Sequence, residues 1–342
     1  MTEQKIIWDR VAAWFKDISG ASVIQLNSAQ YLNGGAIQEN WLLKLDIEGE
    51  TCTEITHIVI RTDASSKIPF SHNRADEYAI LRTIYTAGLK VPKPLWFCAD
   101  KSILGKPFYA MEYVQGRSDP YAMVKGEVCP HLDLIAIQLA QQLAKLHRIK
   151  PCVDLSFLPD STQPALELCQ QYRKCLAKVK VEQRPILEWA LHWLEINAPM
   201  TLPKDIALVH RDFRTGNFLA DRTGLTAILD WEFAGWGDLY EDLGWFLSKS
   251  WRFGQYNREA GGLAAGAIFL EAYEKAAGRK INRALVNYWK VMALVRWAVI
   301  AILQGERHWS GQEFSLELAL TGRRLAEIES DILWLLEHIE RC

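Results

Sequence analysis

The sequence predicts an α+β fold, with a small sheet-rich N-terminal part followed by a larger, mainly helical part. Residues 1–115 are mostly short strand-like runs, and a single helix is predicted among them. Beyond about residue 132, apolar residues recur at the three- to four-residue spacing of helices. One strand-rich segment, residues 206–231, interrupts the helices. We therefore expect an N-terminal lobe over 1–115 and a C-terminal lobe over 116–342.

The elements of the N-terminal part follow from local patterns. Candidate strands lie at 37–47, 56–61 and 107–114, and residues 73–87 have helical apolar spacing that ends at Gly88. The helices of the C-terminal part are predicted at 132–149, 165–196, 257–277, 282–303 and 313–339. Two lobes of this kind leave a cleft, which is where ligands usually bind.

The composition excludes several classes of protein. The chain has 342 residues and a formal net charge of −2, and it has no run of five like charges, so we expect neither a nucleic-acid nor a membrane-surface partner. No pair of its seven cysteines has Cys-x-x-Cys spacing, which predicts reduced thiols. The apolar run 291–303 is shorter than the ~20 residues of a membrane span, and the N-terminus lacks a secretion signal. These features predict a soluble, cytoplasmic protein.

The segment 208–219, Leu-Val-His-Arg-Asp-Phe-Arg-Thr-Gly-Asn-Phe-Leu, is the strongest chemical feature of the sequence. An apolar pair leads into a polar turn that presents Asp212 and Asn217, and a second apolar pair leads out. A further strand-like run then ends at Asp230. Phosphoryl transfer requires a carboxylate to receive the proton of the attacking hydroxyl, and hard oxygen ligands for Mg²⁺. Asp212 fits the base, and Asn217 and Asp230 fit the metal ligands.

This segment resembles the catalytic loop of the protein-kinase-like fold. The sequence Asp-Trp-Glu at 230–232 and Gly-Asp-Leu-Tyr-Glu-Asp-Leu at 237–243 is closer still to the aminoglycoside and choline phosphotransferase branch of that fold. Leu239 stands where that branch has proline, which should not affect the chemistry. The resemblance implies a bilobal phosphotransferase that uses Mg²⁺ and ATP or GTP and acts on a hydroxyl of a small molecule.

The resemblance extends to the N-terminal part. Gly34 and Gly35 lie in a segment similar to the hairpin that covers the phosphates in this branch, although Ile37-Gln38 replaces its usual Ser-Asn. Arg61 stands where the fold carries its phosphate-binding lysine, and arginine offers a charged fork of donors for phosphate oxygens. The resemblance implies that Glu77 orients Arg61 through an ion pair.

Arginine at position 61 also resembles one subgroup, the kinase domains of acyl-CoA dehydrogenase family members 10 and 11. The shared segments include Phe-Ser-His at 70–72 and Leu-Gly-Lys-Pro-Phe-Tyr-Ala-Met-Glu-Tyr-Val at 104–114. In this fold the backbone at Glu112 and Val114 would bind the adenine edge. The resemblance covers roughly residues 25–250.

Other polar and aromatic residues have less direct roles. We interpret His147 as a packing residue, and His210 and Asp242 as residues that shape the catalytic loop. Trp297, His308 and Trp309 are candidates for lining the acceptor pocket, because they fall where the helical lobe could close over the acceptor.

Two alternatives to catalytic phosphoryl transfer remain open. His210, Asp212 and Asp230 could serve a two-metal hydrolase, although such sites normally need more ligands than are clustered here. A pseudokinase that binds nucleotide or a partner without catalysis is the second alternative. Against it, Asp212, Asn217 and Asp230 are all present.

The acceptor is less well defined than the reaction. The subgroup implies a hydroxyacyl-CoA or another hydroxylated metabolite, and the wider branch implies an aminoglycoside, a macrolide, choline or a sugar. The helical part has both acidic and basic residues, which does not favour a pocket for a polycation. Its arginines would suit an anionic acceptor such as a CoA thioester.

Overall fold

The computed structural model of the protein describes residues 3–32, 38–48, 57–63, 71–179 and 184–340. The chain divides into two compact units. The first unit comprises Met1–Gly116, Cys152–Phe157 and Thr226–Phe233, and the second comprises Arg117–Pro151, Leu158–Leu225 and Ala234–Cys342. The assignment of nucleotide binding to 1–115, and of catalysis and acceptor binding to 116–342, stays a prediction.

The first unit contains a five-stranded antiparallel sheet in the order β1-β2-β3-β5-β4. Its strands are β1 (Val23–Leu32), β2 (Gln38–Glu48), β3 (His57–Asp63), β4 (Pro94–Cys98) and β5 (Phe108–Glu112). The central strand β3 is largely buried, and its Arg61 pairs with Asn40 on one side and with Tyr109 on the other. Arg61 is therefore fixed by strands on both sides.

Among the described residues, three α-helices accompany this sheet: α1 (Glu3–Ser19), α2 (Arg74–Thr86) and α3 (Lys101–Leu104). The predicted helix is α2, which begins where the Asn73 side chain accepts a hydrogen bond from the Asp76 amide. The expectation of only one helix in this part is wrong. Trp8, Val11 and Phe15 of α1 recur at helical spacing and join the core cluster formed with the sheet.

The second unit is mainly helical. Its helices are α4 (Pro120–Val124), α5 (Leu132–Leu146), α6 (Pro164–Leu176), α7 (Pro185–Ile196), α8 (Tyr240–Leu247), α9 (Gly266–Ala277), α10 (Arg283–Trp309), α11 (Leu316–Arg323) and α12 (Leu325–Glu340). The single helix predicted over 165–196 is two helices. Pro185 opens the second of them, and a residue that precedes proline is disfavoured in helical conformation.

Short strands flank the polar turn within segment 208–219. Strand β6 (Ile206–Val209) pairs antiparallel with β9 (Gly235–Asp238), and β7 (Phe218–Asp221) pairs with β8 (Gly224–Ile228). The polar turn 210–217 lies between β6 and β7. The predicted strand–turn–strand pattern at 208–219 is confirmed.

The apolar run 291–303 belongs to α10, which is longer than predicted. Among the described residues, α10 is the one helix long and apolar enough to cross a membrane by length and composition. Within its most apolar window, 61% is buried inside the protein. Burial of this kind also occurs in the core helices of soluble proteins.

Helices α8 and α10 touch backbone to backbone at Gly244. A β-carbon added to Gly244 would lie 2.4 Å from the carbonyl carbon of Trp289, which is closer than real β-carbon contacts. We therefore expect Gly244→Ala to force the two helices apart and to lower the free energy of unfolding by about 1–3 kcal/mol. Urea unfolding would measure this loss. An unchanged midpoint would mean that the contact tolerates a methyl group.

Candidate active site

The turn that carries Asp212 is held by a buried carboxylate of α8. Asp242 accepts hydrogen bonds from the amides of His210 (2.7 Å) and Arg211 (2.8 Å). Arg211 has a positive φ of 65°, an uncommon conformation for a residue with a side chain. Burial alone would raise the pKa of Asp242. The hydrogen bond and charge of His147, together with the charge and the backbone amide of His210, outweigh burial and lower this pKa. The carboxylate therefore fixes the turn immediately before Asp212.

Histidine residues complete this support from within the second unit. The Nε2 atom of His147 lies 3.2 Å from Asp242, and its Nδ1 atom lies 2.7 Å from the hydroxyl of Tyr273. His210 is fully buried, and its Nδ1 accepts a hydrogen bond from the Asp212 amide at 3.2 Å. The contacts agree with the interpretation of His210 and Asp242 as residues that shape the loop. His147, which the sequence analysis interprets as a packing residue, also contacts the Asp242 carboxylate.

Asp212 and Asn217 are brought into direct contact by the turn. The side-chain nitrogen Nδ2 of Asn217 donates to the carboxylate of Asp212 at 2.6 Å and to the backbone oxygen of Asp212 at 2.9 Å. Asn217 is buried, and with its nitrogen used in this way its amide oxygen is the atom left for a ligand. Asp212 keeps a partly exposed side chain (18%). A carboxylate fixed in this way can accept a proton from a hydroxyl placed next to it.

Two further partners of Asp212 were missed by sequence reasoning. Its Oδ1 atom accepts hydrogen bonds from the indole of Trp245 (3.1 Å) and from Nε of Arg214 (3.2 Å). Arg214 is two residues from Asp212, so its spacing was a usable signal. Trp245 is 33 residues away on α8, and no local pattern indicates it.

A cluster of buried charges surrounds Arg61 in the first unit. Its guanidinium lies 2.9 Å from Glu77 and 3.0 Å from Asp230. Burial opposes the charge on Arg61, but the two carboxylates outweigh burial and raise its pKa well above the ordinary value. Among the described residues its buried Nη2 atom has no hydrogen-bond partner. The predicted ion pair between Arg61 and Glu77 is confirmed.

Arg74 is a third member of this cluster, and the sequence analysis missed it. Arg74 is buried and forms ion pairs with Glu77 and, at 3.0 Å, with Asp63. It precedes Glu77 by three residues on α2, a spacing that places two side chains on one helix face. Glu77 is therefore held by two arginines rather than by Arg61 alone.

The Asp-Trp-Glu segment provides the acidic side of the same cluster. Asp230 has a φ of 61°, which aspartate tolerates better than most residues, and its side chain is partly exposed (29%). Glu232 is buried and accepts a hydrogen bond from the Gln38 side chain at 2.8 Å. Burial raises the pKa of Glu232 to about 7. The side chain of Gln38, which replaces the usual asparagine of the hairpin, thus contacts Glu232 of the Asp-Trp-Glu segment.

The remaining predicted nucleotide contacts lie at the end of β5 or outside the described residues. The Glu112 amide donates to the Lys93 oxygen at 2.9 Å, so this amide is already paired. Within the described part of the chain, Val114 makes no backbone hydrogen bond outside regular elements. Gly34 and Gly35 lie outside the described residues.

The three acceptor-pocket candidates are spread along the C-terminal half of α10. The Trp297 ring centroid lies 5.0 Å from that of Trp251, in a cluster that includes Trp245. His308 accepts a hydrogen bond from the Ser315 amide, and Trp309 is 66% exposed. Eleven residues of helix separate Trp297 from His308, about 16 Å along the axis. Within the described part of the chain, Trp297 is connected to Asp212 through the rings of Trp251 and Trp245.

The five-stranded antiparallel sheet, the helical second unit and the supported polar turn are those of a kinase-type phosphotransferase. The chain belongs to the phosphotransferase enzyme family whose model, named APH, matches residues 28–279. The predicted protein-kinase-like α+β fold and the predicted membership of this family are confirmed.

The curated relatives are longer proteins. The chain is 27% identical over 291 residues to acyl-CoA dehydrogenase family member 10 of Mus musculus, covering 81% of this chain and 27% of that protein. It is 26% identical over 261 residues to family member 11 of Homo sapiens, covering 73% of this chain and 33% of that protein. The chain therefore spans about a quarter to a third of the length of these relatives.

Solved structures share the fold. A putative aminoglycoside phosphotransferase from Ralstonia eutropha superimposes with a TM-score of 0.78 at 20% identity, over 97% of this chain and 98% of that chain. A spectinomycin phosphotransferase, solved with ADP and spectinomycin, superimposes with a TM-score of 0.62 at 12% identity, over 96% and 98% of the two chains. At these identities the comparison establishes the fold and not the substrate.

Proposed function

We propose that this protein is a small-molecule kinase that transfers the γ-phosphoryl group of ATP, or of GTP, to an acceptor hydroxyl. The observation that carries the proposal is the contact of Asp212 with Asn217 in a turn fixed by Asp242. Phosphoryl transfer is catalysed mainly by positioning and charge stabilisation, so a rigid turn with one partly exposed carboxylate suits it.

In the proposed reaction, Asp212 accepts the proton of the acceptor hydroxyl. The acceptor oxygen forms a bond to the γ-phosphorus, and the bond between that phosphorus and the β–γ bridging oxygen breaks. The products are a phosphate monoester and a nucleoside diphosphate. Hydrogen bonds from Trp245, Arg214 and Asn217 hold the carboxylate in one orientation while it accepts the proton.

The donor set is suited to Mg²⁺. Asn217 offers an amide oxygen and Asp230 a partly exposed carboxylate, both hard oxygen ligands. Among the described residues no three His, Cys, Asp or Glu side chains form a metal cluster; Mg²⁺ bound with a nucleotide usually needs only one or two carboxylates together with the phosphates. When bound, Mg²⁺ would neutralise charge on the phosphates.

We assign the nucleotide to the first unit. Arg61, with a buried Nη2 atom that has no partner among the described residues, suits phosphate oxygens. Glu77, which is itself held by Arg74, holds Arg61 in place. The Glu112 carbonyl and the Val114 backbone would bind the adenine edge, and the amides near Gly34 and Gly35 would approach the phosphates.

For the acceptor we propose a hydroxyacyl-CoA or a related hydroxylated metabolite. The similarity to acyl-CoA dehydrogenase family members 10 and 11 supports this choice. The alternative acceptor is an aminoglycoside or a macrolide. Structural neighbours are named as aminoglycoside and spectinomycin phosphotransferases. A non-catalytic nucleotide-binding protein is the third alternative.

A panel of acceptors distinguishes these alternatives. Nucleoside diphosphate release would be measured with hydroxyacyl-CoAs, free hydroxy acids, aminoglycosides, macrolides and amino alcohols, each with ATP and with GTP. We expect release with a hydroxyacyl-CoA and a product that is heavier by one phosphoryl group in mass spectrometry. Release only with an antibiotic would select the second alternative. Nucleotide binding without turnover of any acceptor would select the third.

A further inference from the structure

Three tryptophans form a cluster beside Asp212 in the second unit, and we call Trp245, Trp251 and Trp297 the tryptophan cluster. The ring centroids of Trp245 and Trp251 lie 5.0 Å apart, and those of Trp251 and Trp297 also lie 5.0 Å apart. Trp245 donates its indole hydrogen bond to Asp212. The cluster is therefore continuous with the proposed base.

Two indole groups of the cluster are unpaired donors. Among the described residues the Nε1 atoms of Trp251 and Trp297 are buried and have no hydrogen-bond partner. Trp251 is only 5% exposed. Buried donors are nearly always paired in folded proteins, and an unpaired one is costly. These two N–H groups can therefore bind a ligand oxygen, since no described residue supplies an acceptor for them.

The charge at the cluster selects the kind of ligand. The guanidinium carbon of Arg214 lies 4.9 Å from the centroid of the Trp251 ring, within range of a cation–π contact. Arg296 lies 4.7 Å from the centroid of the Trp245 ring. The protein's own cations therefore occupy aromatic faces that could attract a cationic ligand. Arg214 is also partly exposed (28%), so it can attract a ligand oxygen that carries negative charge.

We propose that Trp251, Trp297 and Arg214 form an acceptor subsite for a carbonyl or carboxylate oxygen close to the hydroxyl that is phosphorylated. The subsite rests on the proposed function, because it takes Asp212 as the base. The indole N–H groups donate to the oxygen, the aromatic rings contact the carbon chain, and Arg214 disfavours polycations. The acceptor class that fits is a hydroxy acid or its thioester.

Matched acceptors and matched variants test the subsite. The kcat/KM values of hydroxybutyrate and hydroxybutyryl-CoA would be compared with that of secondary butanol, which has the hydroxyl but no carbonyl. Trp251→Phe and Trp297→Phe remove an N–H group and keep an aromatic ring. We expect each change to lower the preference over butanol by about 5- to 10-fold, the equivalent of one hydrogen bond.

Trp289→Phe is the control. Trp289 is also buried with an unpaired indole N–H among the described residues, but it is not part of the cluster. We expect this variant to keep the wild-type preference. A preference for the acid or for its thioester would support the subsite and identify which oxygen it binds. An unchanged preference in both cluster variants would overturn it.

Binding separates failure of the subsite from failure of the proposed function. Calorimetry of hydroxybutyryl-CoA and of kanamycin, with ATP replaced by a non-hydrolysable analogue, does not require turnover. Binding of the thioester that weakens in Trp251→Phe would support the subsite even if no phosphorylation occurred, and only the kinase proposal would then fail. Tighter binding of kanamycin than of the thioester would overturn the subsite.

Discussion

Replacing Asp212 by asparagine is expected to lower kcat by about two to four orders of magnitude, the usual contribution of a positioned general base. Asparagine has nearly the same shape, and its oxygen can still accept from Trp245 and Arg214. It cannot accept a proton from the acceptor at neutral pH. Nucleotide affinity should change little, because Asp212 is assigned to proton transfer and not to the metal.

The measurement pairs steady-state kinetics with calorimetry of nucleotide binding. Asp221→Asn is a suitable control, since Asp221 follows in the same segment and its carboxylate accepts hydrogen bonds from the amide and the hydroxyl of Thr223. That variant should retain wild-type kcat. If Asp212→Asn retained near-normal kcat, Asp212 would not be the base.

Replacing Arg61 by alanine is expected to damage both nucleotide use and stability. The change removes a buried cation from Glu77 and Asp230. We expect the free energy of unfolding to fall by about 3 kcal/mol, the lower part of the range for a broken buried ion pair, because Glu77 keeps Arg74. We expect kcat/KM for nucleotide to fall on the order of 10²-fold, since two charge-assisted hydrogen bonds to phosphate are lost.

Related variants separate the charge of Arg61 from its geometry. Arg61→Lys should recover only part of the loss, because lysine keeps the charge but lacks the planar fork. Glu77→Gln should give a milder defect, and its combination with Arg61→Ala should be less than additive. Arg82→Ala, an exposed position on α2, is the control and should change stability by less than about 0.5 kcal/mol. Additive losses would contradict the coupling of Arg61 and Glu77.

The features that could be predicted from the sequence are local ones. The strand–turn–strand at 208–219 has its apolar pairs and its polar turn adjacent in the chain, so the contact of Asp212 with Asn217 was foreseeable. Helix α2 was predicted to within a residue at each end, because Asn73 caps its start and Gly88 follows its end. The ion pair of Arg61 with Glu77 came from family resemblance and not from spacing.

The features that could not be predicted depend on tertiary contacts. Gln38 and Glu232 are 194 residues apart, and nothing near either residue indicates the other. The hydrogen bond of Trp245 to Asp212 depends on how α8 packs beside the turn, which local periodicity does not define. Arg74 was missed for a different reason, since a charged residue at a helix start is usually a solvated one.

The central claim is that the γ-phosphoryl group passes to an acceptor hydroxyl, and its fate can be followed directly. ATP labelled on the γ-phosphoryl group would be incubated with wild-type protein, Mg²⁺ and hydroxybutyryl-CoA, and with Asp212→Asn under the same conditions. We expect the label in a phosphate monoester of the acceptor with the wild type, and at least about 10²-fold less with the variant. Label recovered only as inorganic phosphate, or in equal amounts of monoester from both proteins, would contradict the claim.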